Sequence, residues 1–170
     1  MPATIINGSE MAKQIRADVA SEVAERALAG KPQPGLATVL VGDDPASHVY
    51  VKSKQKACIE AGISSFGHEL PSTASQTEVE DLVKKLNDDP SVNGILVQLP
   101  LPKGLDEERV LSSIRLEKDV DGFHPINIGR LAQKGRDPLF VPCTPAGCML
   151  MLEKHMDTIE GKNAVVLGRS

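Results

Sequence analysis

The sequence predicts an α/β domain, a three-layer α/β/α arrangement around a mostly parallel sheet. Two short apolar runs, residues 36–42 (LATVLVG) and 94–100 (GILVQLP), are bounded by Gly or Pro. Neither shows the polar alternation of a half-exposed strand, so both faces of each should be covered. The segments between them carry apolar residues at helical spacing. Strands that alternate with helices make parallel sheets, because a parallel pair needs a crossover long enough to hold a helix.

The elements follow in order. Met11, Ile15, Val19, Val23 and Ala27 recur every fourth position, which predicts a helix over 9–29. Ser9 is the expected cap, and Gly30 with Pro32 ends the helix. The buried strand 36–42 comes next. After the turn at Asp43, Asp44 and Pro45, a second helix is predicted over 46–61, with Gly62 stopping it. A strand over 63–70, a helix over 76–88, the strand 94–100 and a short helix over 106–113 complete the alternation. Residues 118–145 show little periodicity and read as a long ordered loop; in compact domains such loops usually carry function. Pro145 suits the first turn of a helix over 145–156. The apolar run NAVVLG, 163–168, reads as a final strand.

Composition narrows the function classes. The chain has 170 residues, a formal charge of -4, 41% hydrophobic and 25% charged residues, ordinary for a soluble globular protein. That length holds one domain or one and a fraction. Mild acidity argues against nucleic acid as a partner, since phosphate binding needs a basic face. No apolar run approaches the roughly 20 residues of a membrane span. The start, Met1-Pro2-Ala3-Thr4, has no basic segment followed by an apolar one, so no signal peptide is expected and the cytoplasm is the expected location. Cys58, Cys143 and Cys148 make neither a disulfide framework nor a metal-ligand spacing, and are expected to be reduced, mostly buried thiols.

In open parallel sheets ligands bind beyond the carboxyl ends of the strands. The residues to suspect therefore follow strands. Tyr50 and Lys54 lie four apart on one face of the helix after the first strand. Gln98 sits near the end of the 94–100 strand, and Leu99, Pro100, Leu101 and Pro102 form a stiff apolar wall after it. Asp119 and Asp121 fall in the loop after the next helix. Each has an ordinary structural reading too. Lys54 has Lys52 and Lys56 as neighbours and could be one more solvated charge. Tyr50 could be a core tyrosine, Gln98 a partner for backbone groups, and Asp121, next to Gly122, a turn residue. His124, with no nucleophile to pair with, is read as structural.

The stretches VGDDPASHVYVKSKQKACIEAGI, GILVQLPLP, KDVDGFHPINIGRL, PCTPAG and NAVVLGRS resemble, in order and spacing, the bifunctional methylenetetrahydrofolate dehydrogenase/methenyltetrahydrofolate cyclohydrolase family of bacterial type. The resemblance implies that Lys54 is the central catalytic residue, that Tyr50 stacks on the folate and helps align it, and that Gln98 bonds and tunes Lys54. It also implies that Asp121 binds the pterin, and that Ser47, Leu99 and Pro100 help line the pocket. Gly168, Arg169 and Ser170 match the start of the family's dinucleotide-binding loop. The implied domains are 1–145, folate-binding and catalytic, and 146–170, a linking helix and the first strand of a Rossmann domain otherwise lacking here. The implied cofactor is NADP, with NAD still open, and the implied assembly at full length is a homodimer. On this reading the 170 residues alone should not carry out the dehydrogenase step. Two rivals remain at this stage. Tyr50-x-x-x-Lys54 also resembles the pair of short-chain dehydrogenases, whose glycine-rich loop, however, precedes the Tyr. A stand-alone folate-binding or regulatory module without catalysis is the non-enzyme alternative.

Overall fold

The computed structural model describes residues 5–168; Met1–Thr4, on which the expectation of no signal peptide rests, lie outside them. The order is α1 (Gly8–Leu28), β1 (Gly35–Val41), α2 (Pro45–Glu60), β2 (Ser64–Leu70), α3 (Gln76–Asp88), β3 (Gly94–Val97), α4 (Glu107–Ser113), a 3-10 turn (Leu116–Lys118), α5 (Pro125–Leu131) and α6 (Cys143–His155). The three strands form one parallel sheet in the order β2-β1-β3, with Gly35 opposite Ser64 and Leu36 opposite Gly94.

Alternation along the strands builds the layers. Ala37, Val39 and Val41 of β1, with Ile95 and Val97 of β3, join Val79, Val83 and Leu86 of α3 and Val110 of α4 in one core. Burying each such side chain contributes about 1.5–3 kcal/mol. The intervening residues of β1 point the other way. There the Gln55 amide of α2 donates to the Thr38 hydroxyl at 3.1 Å, beside buried Val51 and Cys58. Helices thus cover both faces. The crossover β1-α2-β2 steps to one side of β1, and β2-α3-β3 steps back past it; two crossovers of one hand in opposite directions lie on opposite faces.

Helix ends follow their caps. Ser75 and Glu78 form a reciprocal capping box that starts α3. The Asn7 side chain, not Ser9, caps α1: its Oδ1 accepts from the Ser9 and Glu10 amides at 3.1 and 3.2 Å. Three further expectations are corrected. The 118–145 stretch holds α5, whose N-cap is His124: its Nδ1 accepts from the Ile126 amide at 3.1 Å, the structural part expected of that residue. The strand expected to reach Pro100 stops at Val97; its last rung is the Gln98 amide on the Val39 carbonyl, and Pro100 has no N–H with which to extend the ladder. Residues 163–168 join no sheet among the described residues; Val165, Val166 and Leu167 are 86, 89 and 93% exposed. An apolar β-branched run becomes a strand only when a neighbour satisfies its backbone. No helix among the described residues is long and apolar enough to cross a membrane.

Candidate active site

The carboxyl ends of β1 and β3 lie side by side, and the chain leaves both at the same edge of the sheet. From β1 it turns through Gly42, at φ +89°, into α2. Asp44 caps this helix, accepting from the Ser47 amide at 2.8 Å. Hydrogen bonds from Ser47, its backbone N–H foremost, hold the Asp44 carboxyl below its ordinary value. Ser47 is thereby buried in the first turn. Tyr50, 62% exposed, stands one turn before Lys54 on the same face. From β3 the backbone passes into Gln98, whose amide N–H still donates to the Val39 carbonyl at 2.8 Å.

Here the two elements meet. The Lys54 ammonium donates to Gln98 Oε1 at 3.1 Å, and Gln98 Nε2 donates to the Leu99 carbonyl at 2.7 Å. The second bond fixes which end of the amide faces Lys54. Leu99 is half-buried and Pro100 exposed. Beyond them Leu101 is held by its amide bond to Glu107 Oε1, at 2.7 Å. A Cβ on Gly42 would lie 3.1 Å from Pro102, so the apolar wall packs closely on the turn that leads into α2.

The third side comes from the 119–124 loop. Asp119 pairs with Ile95 in an isolated parallel bridge, docking the loop against β3. Its buried carboxylate accepts from the Phe123 amide at 3.3 Å, the His124 amide at 2.8 Å and Asn127 Nδ2 at 2.7 Å. Two residues on, Asp121 is half-buried. Burial raises its carboxyl above the ordinary value; the Lys54 charge opposes this, the Asp119 charge adds to it, and a hydrogen bond with Cys143 opposes it. Cys143 is exposed as a residue, yet partial desolvation of its thiol raises it, and the Asp121 charge pushes the same way. Lys54, Gln98, Asp121 and Cys143 therefore converge: a cation, an amide that bonds it, a carboxylate in reduced solvent, and a thiol.

Of the residues picked from sequence, Lys54, Gln98 and Asp121 come together, Tyr50 flanks Lys54, and Ser47, Leu99 and Pro100 stand at the edge they form. Cys143 was missed. The expectation of mostly buried thiols holds for Cys58 and fails for Cys143 and Cys148, which are exposed. A cysteine between prolines carries no periodic signal, and its partner lies 22 positions earlier in the chain. Gly168 adopts φ +149°, and a side chain there would meet no atom within 4 Å. Arg169 and Ser170 lie outside the described residues. Among the described residues no cluster of three or more His, Cys, Asp or Glu could hold a metal ion. Two surface hollows lie elsewhere: about 470 Å³ lined by Glu80, Asp106 and Arg109, and about 390 Å³ lined by Met11, Ile15 and Leu150. Convergent chemistry, not concavity, marks the site.

Comparison with known proteins identifies the family. Residues 6–121 match the family described as tetrahydrofolate dehydrogenase/cyclohydrolase, catalytic domain. The chain is 54% identical over 170 residues to the bifunctional protein FolD of Moorella thermoacetica, covering 100% of this chain and 60% of that protein. It is 52% identical over 168 residues to the bifunctional protein FolD 4, chloroplastic, of Arabidopsis thaliana, covering 99% and 47%. The crystal structure of the bifunctional FolD enzyme from Campylobacter jejuni superposes with a TM-score of 0.90 at 43% identity, covering 98% of this chain and 58% of that one. The Trypanosoma brucei FolD enzyme, in complex with NADP cofactor and inhibitor, gives a TM-score of 0.86 at 38% identity, covering 91% and 53%. The chain spans about half the length of the curated relatives it matches. With most of its residues matched to the family's catalytic domain and relatives above 50% identity along its length, this chain belongs to the tetrahydrofolate dehydrogenase/cyclohydrolase family.

Proposed function

We propose that this chain supplies the folate site of an enzyme of one-carbon metabolism. In its complete form that enzyme oxidises 5,10-methylenetetrahydrofolate by hydride transfer to NADP, then hydrolyses the methenyl product to 10-formyltetrahydrofolate. The observation that carries the reading is the Lys54 ammonium held 3.1 Å from Gln98 Oε1 at the edge where Asp121 is half-buried. Relatives matched along the chain are named as bifunctional proteins, which weighs against a module without catalysis.

The roles follow from the chemistry of each side chain. Asp121 accepts paired hydrogen bonds from the amino-pyrimidine edge of the pterin. Its raised value means that a ligand offering N–H donors finds a carboxylate short of solvent, where such bonds are strongest. Tyr50 lays its ring against the flat folate. Ser47, Leu99 and Pro100 line the same side. Lys54 is covered when folate binds and faces the reacting part of the ligand. It can then exchange protons with the folate nitrogens or with the water that attacks the methenyl carbon. Gln98 holds the Lys54 amine at one angle during that exchange. NADP, when bound, supplies the hydride acceptor; the Trypanosoma brucei relative is a complex with that cofactor.

We assign residues 1–145 to the folate-binding domain and 146–170 to the linking helix and the opening of a nucleotide-binding domain. For the complete protein we propose a homodimer in the cytoplasm, although two Arabidopsis thaliana relatives are named for the chloroplast and the mitochondrion. Calorimetric titration of the 170-residue chain with a tetrahydrofolate analogue tests the site. Binding is expected, and Asp121→Ala should abolish it while circular dichroism stays unchanged. Equal binding by both proteins would take the pterin away from Asp121.

A further inference from the structure

Asn127 is wholly buried, at 0% exposure, in the middle of α5. A buried amide must satisfy both its ends, and this one does so with two different parts of the chain. Its Nδ2 donates to Asp119 Oδ2 at 2.7 Å. Its Oδ1 accepts from the Leu139 amide at 2.9 Å and the Phe140 amide at 3.5 Å. Asp119, itself 1% exposed, spends its remaining bonds on the Phe123 and His124 amides and so closes the 119–124 loop around Asp121. The 139–142 segment then presses on that loop: a Cβ on Gly122 would lie 2.7 Å from the Pro142 nitrogen and 2.8 Å from the Val141 carbonyl carbon. Cys143 comes next in the chain.

We propose that Asn127 is a positioning residue for the site: bonded to Asp119 on one side and to the 139–140 backbone on the other, it locks the loop that carries Asp121 against the segment that carries Cys143. Asn127 touches none of the residues assigned to substrate. Its role toward folate rests on the reading of Asp121 given above, whereas its hold on Asp121 does not. Asn is suited to the task because one side chain must donate to a carboxylate and accept from backbone N–H groups. Asp loses the donor, and Leu loses both.

The test reads Asp121 directly, by NMR titration of its carboxyl carbon in the 170-residue chain, with calorimetry of a tetrahydrofolate analogue beside it. In wild type the Asp121 carboxyl should titrate above the ordinary carboxylate range. In Asn127→Asp it should fall back toward that range as the loop opens to water. The added carboxylate would by itself push Asp121 further up, so a fall reports displacement. The exchange pair Asp119→Asn with Asn127→Asp restores the 119–127 bond with its polarity reversed, but it leaves the His124 amide, which shares Asp119 Oδ2, facing an NH2 group, and should recover only part of the wild-type titration. Analogue affinity should drop roughly tenfold in Asn127→Asp and return in part in the pair, within the range of couplings for residues sharing one network. Asn127→Ser, neutral and smaller, gives the same readings if Asn127→Asp does not fold. An unchanged Asp121 titration in a folded Asn127 variant overturns the proposal, even if thermal stability falls. Unchanged affinity in a variant whose Asp121 titration has shifted counts instead against Asp121 as the folate ligand and leaves the hold of Asn127 standing. Should wild type bind no analogue while the Asn127 variant still shifts Asp121, the folate reading fails and the hold of Asn127 on Asp121 stands.

Discussion

At the scale of the residue, Asp121 trades stability for binding. Its carboxyl is raised first by burial, so ionising it costs the folded state more than the unfolded one. A carboxyl with a raised folded value contributes stability that is present below the ordinary carboxylate range and is lost as pH rises through the raised value. At neutral pH Asp121 is therefore a liability to the fold. Asp121→Asn should raise the melting temperature at pH 7, within the roughly 0.5–2 kcal/mol that single stabilising substitutions give. The gain should shrink as pH falls toward about 4, where an ordinary carboxyl titrates. The same variant should weaken binding of a tetrahydrofolate analogue. Thermal melts of both proteins from pH 4 to pH 8 check it; a variant less stable than wild type at pH 7 contradicts the assignment of burial as the dominant cause. Lys54, Gln98 and Asp121 were legible in sequence because each follows a strand or its crossover. Asn127 and Cys143 were not. Their partners lie 8 and 22 positions away across a loop with no periodic signal, and such distances appear only once the loop is folded.

At the scale of the element, the clearest reading came where local chemistry and packing agree. The helix expected over 76–88 is α3, Gln76–Asp88, because the Ser75 cap starts it and Val79, Val83 and Leu86 share its buried face. The opposite case is α5, with seven residues, Gly129 inside it and Pro125 at its first turn. Pro125 suits a first turn, but seven residues with a glycine among them hold a helix poorly, and the side chain of Asn127 ties this one to the segments around it. The loop packed beside it depends on Gly122. Gly122 and Gly135 adopt φ +73° and +72°, yet a side chain meets backbone at 2.7 Å at Gly122 and nothing within 4 Å at Gly135. Gly135→Ala should cost only the left-handed penalty, about 1–2 kcal/mol. Gly122→Ala should cost that and a further 1–3 kcal/mol or so for the clash, and should weaken ligand binding as Asp121 moves. Urea unfolding of the pair measures the difference. Equal costs would mean the 139–142 segment yields freely and does not hold the loop.

At the scale of the whole molecule, the fold class was legible because β1 and β3 are buried from both sides and read as apolar runs, whereas β2, at the edge, mixes Ser, His and Glu with its apolar residues. What pattern alone could not give is how unevenly the burial is shared. The buried hydrophobic residues run from Ala37 to Ile114, whereas α1 and α6 contain none. The apolar stripe of α1 is real but only partly covered: Met11 and Val23 are half-buried, while Ile15 and Val19 are exposed and Ile15 borders the hollow against α6. Contact between the two helices includes the approach of Gly8 to Met151, where a Cβ would lie 3.4 Å from the sulfur. Elements with few buried contacts open without the rest of the molecule, and amides in the core exchange only through global unfolding. Hydrogen exchange followed by mass spectrometry should therefore find two tiers in this 170-residue chain. Peptides covering β1 and β3 should report the full unfolding free energy. Peptides covering α1 and α6 should exchange through openings several kcal/mol cheaper and almost independent of low concentrations of denaturant, the mark of a local fluctuation. The Lys54–Gln98 bond joins α2 to the residue that follows β3, so residues 50–54 should stay protected when α1 and α6 have already exchanged. If α1 instead exchanges with the free energy of β1, the first helix is a full member of the core, and the exposure of its apolar stripe does not weaken it.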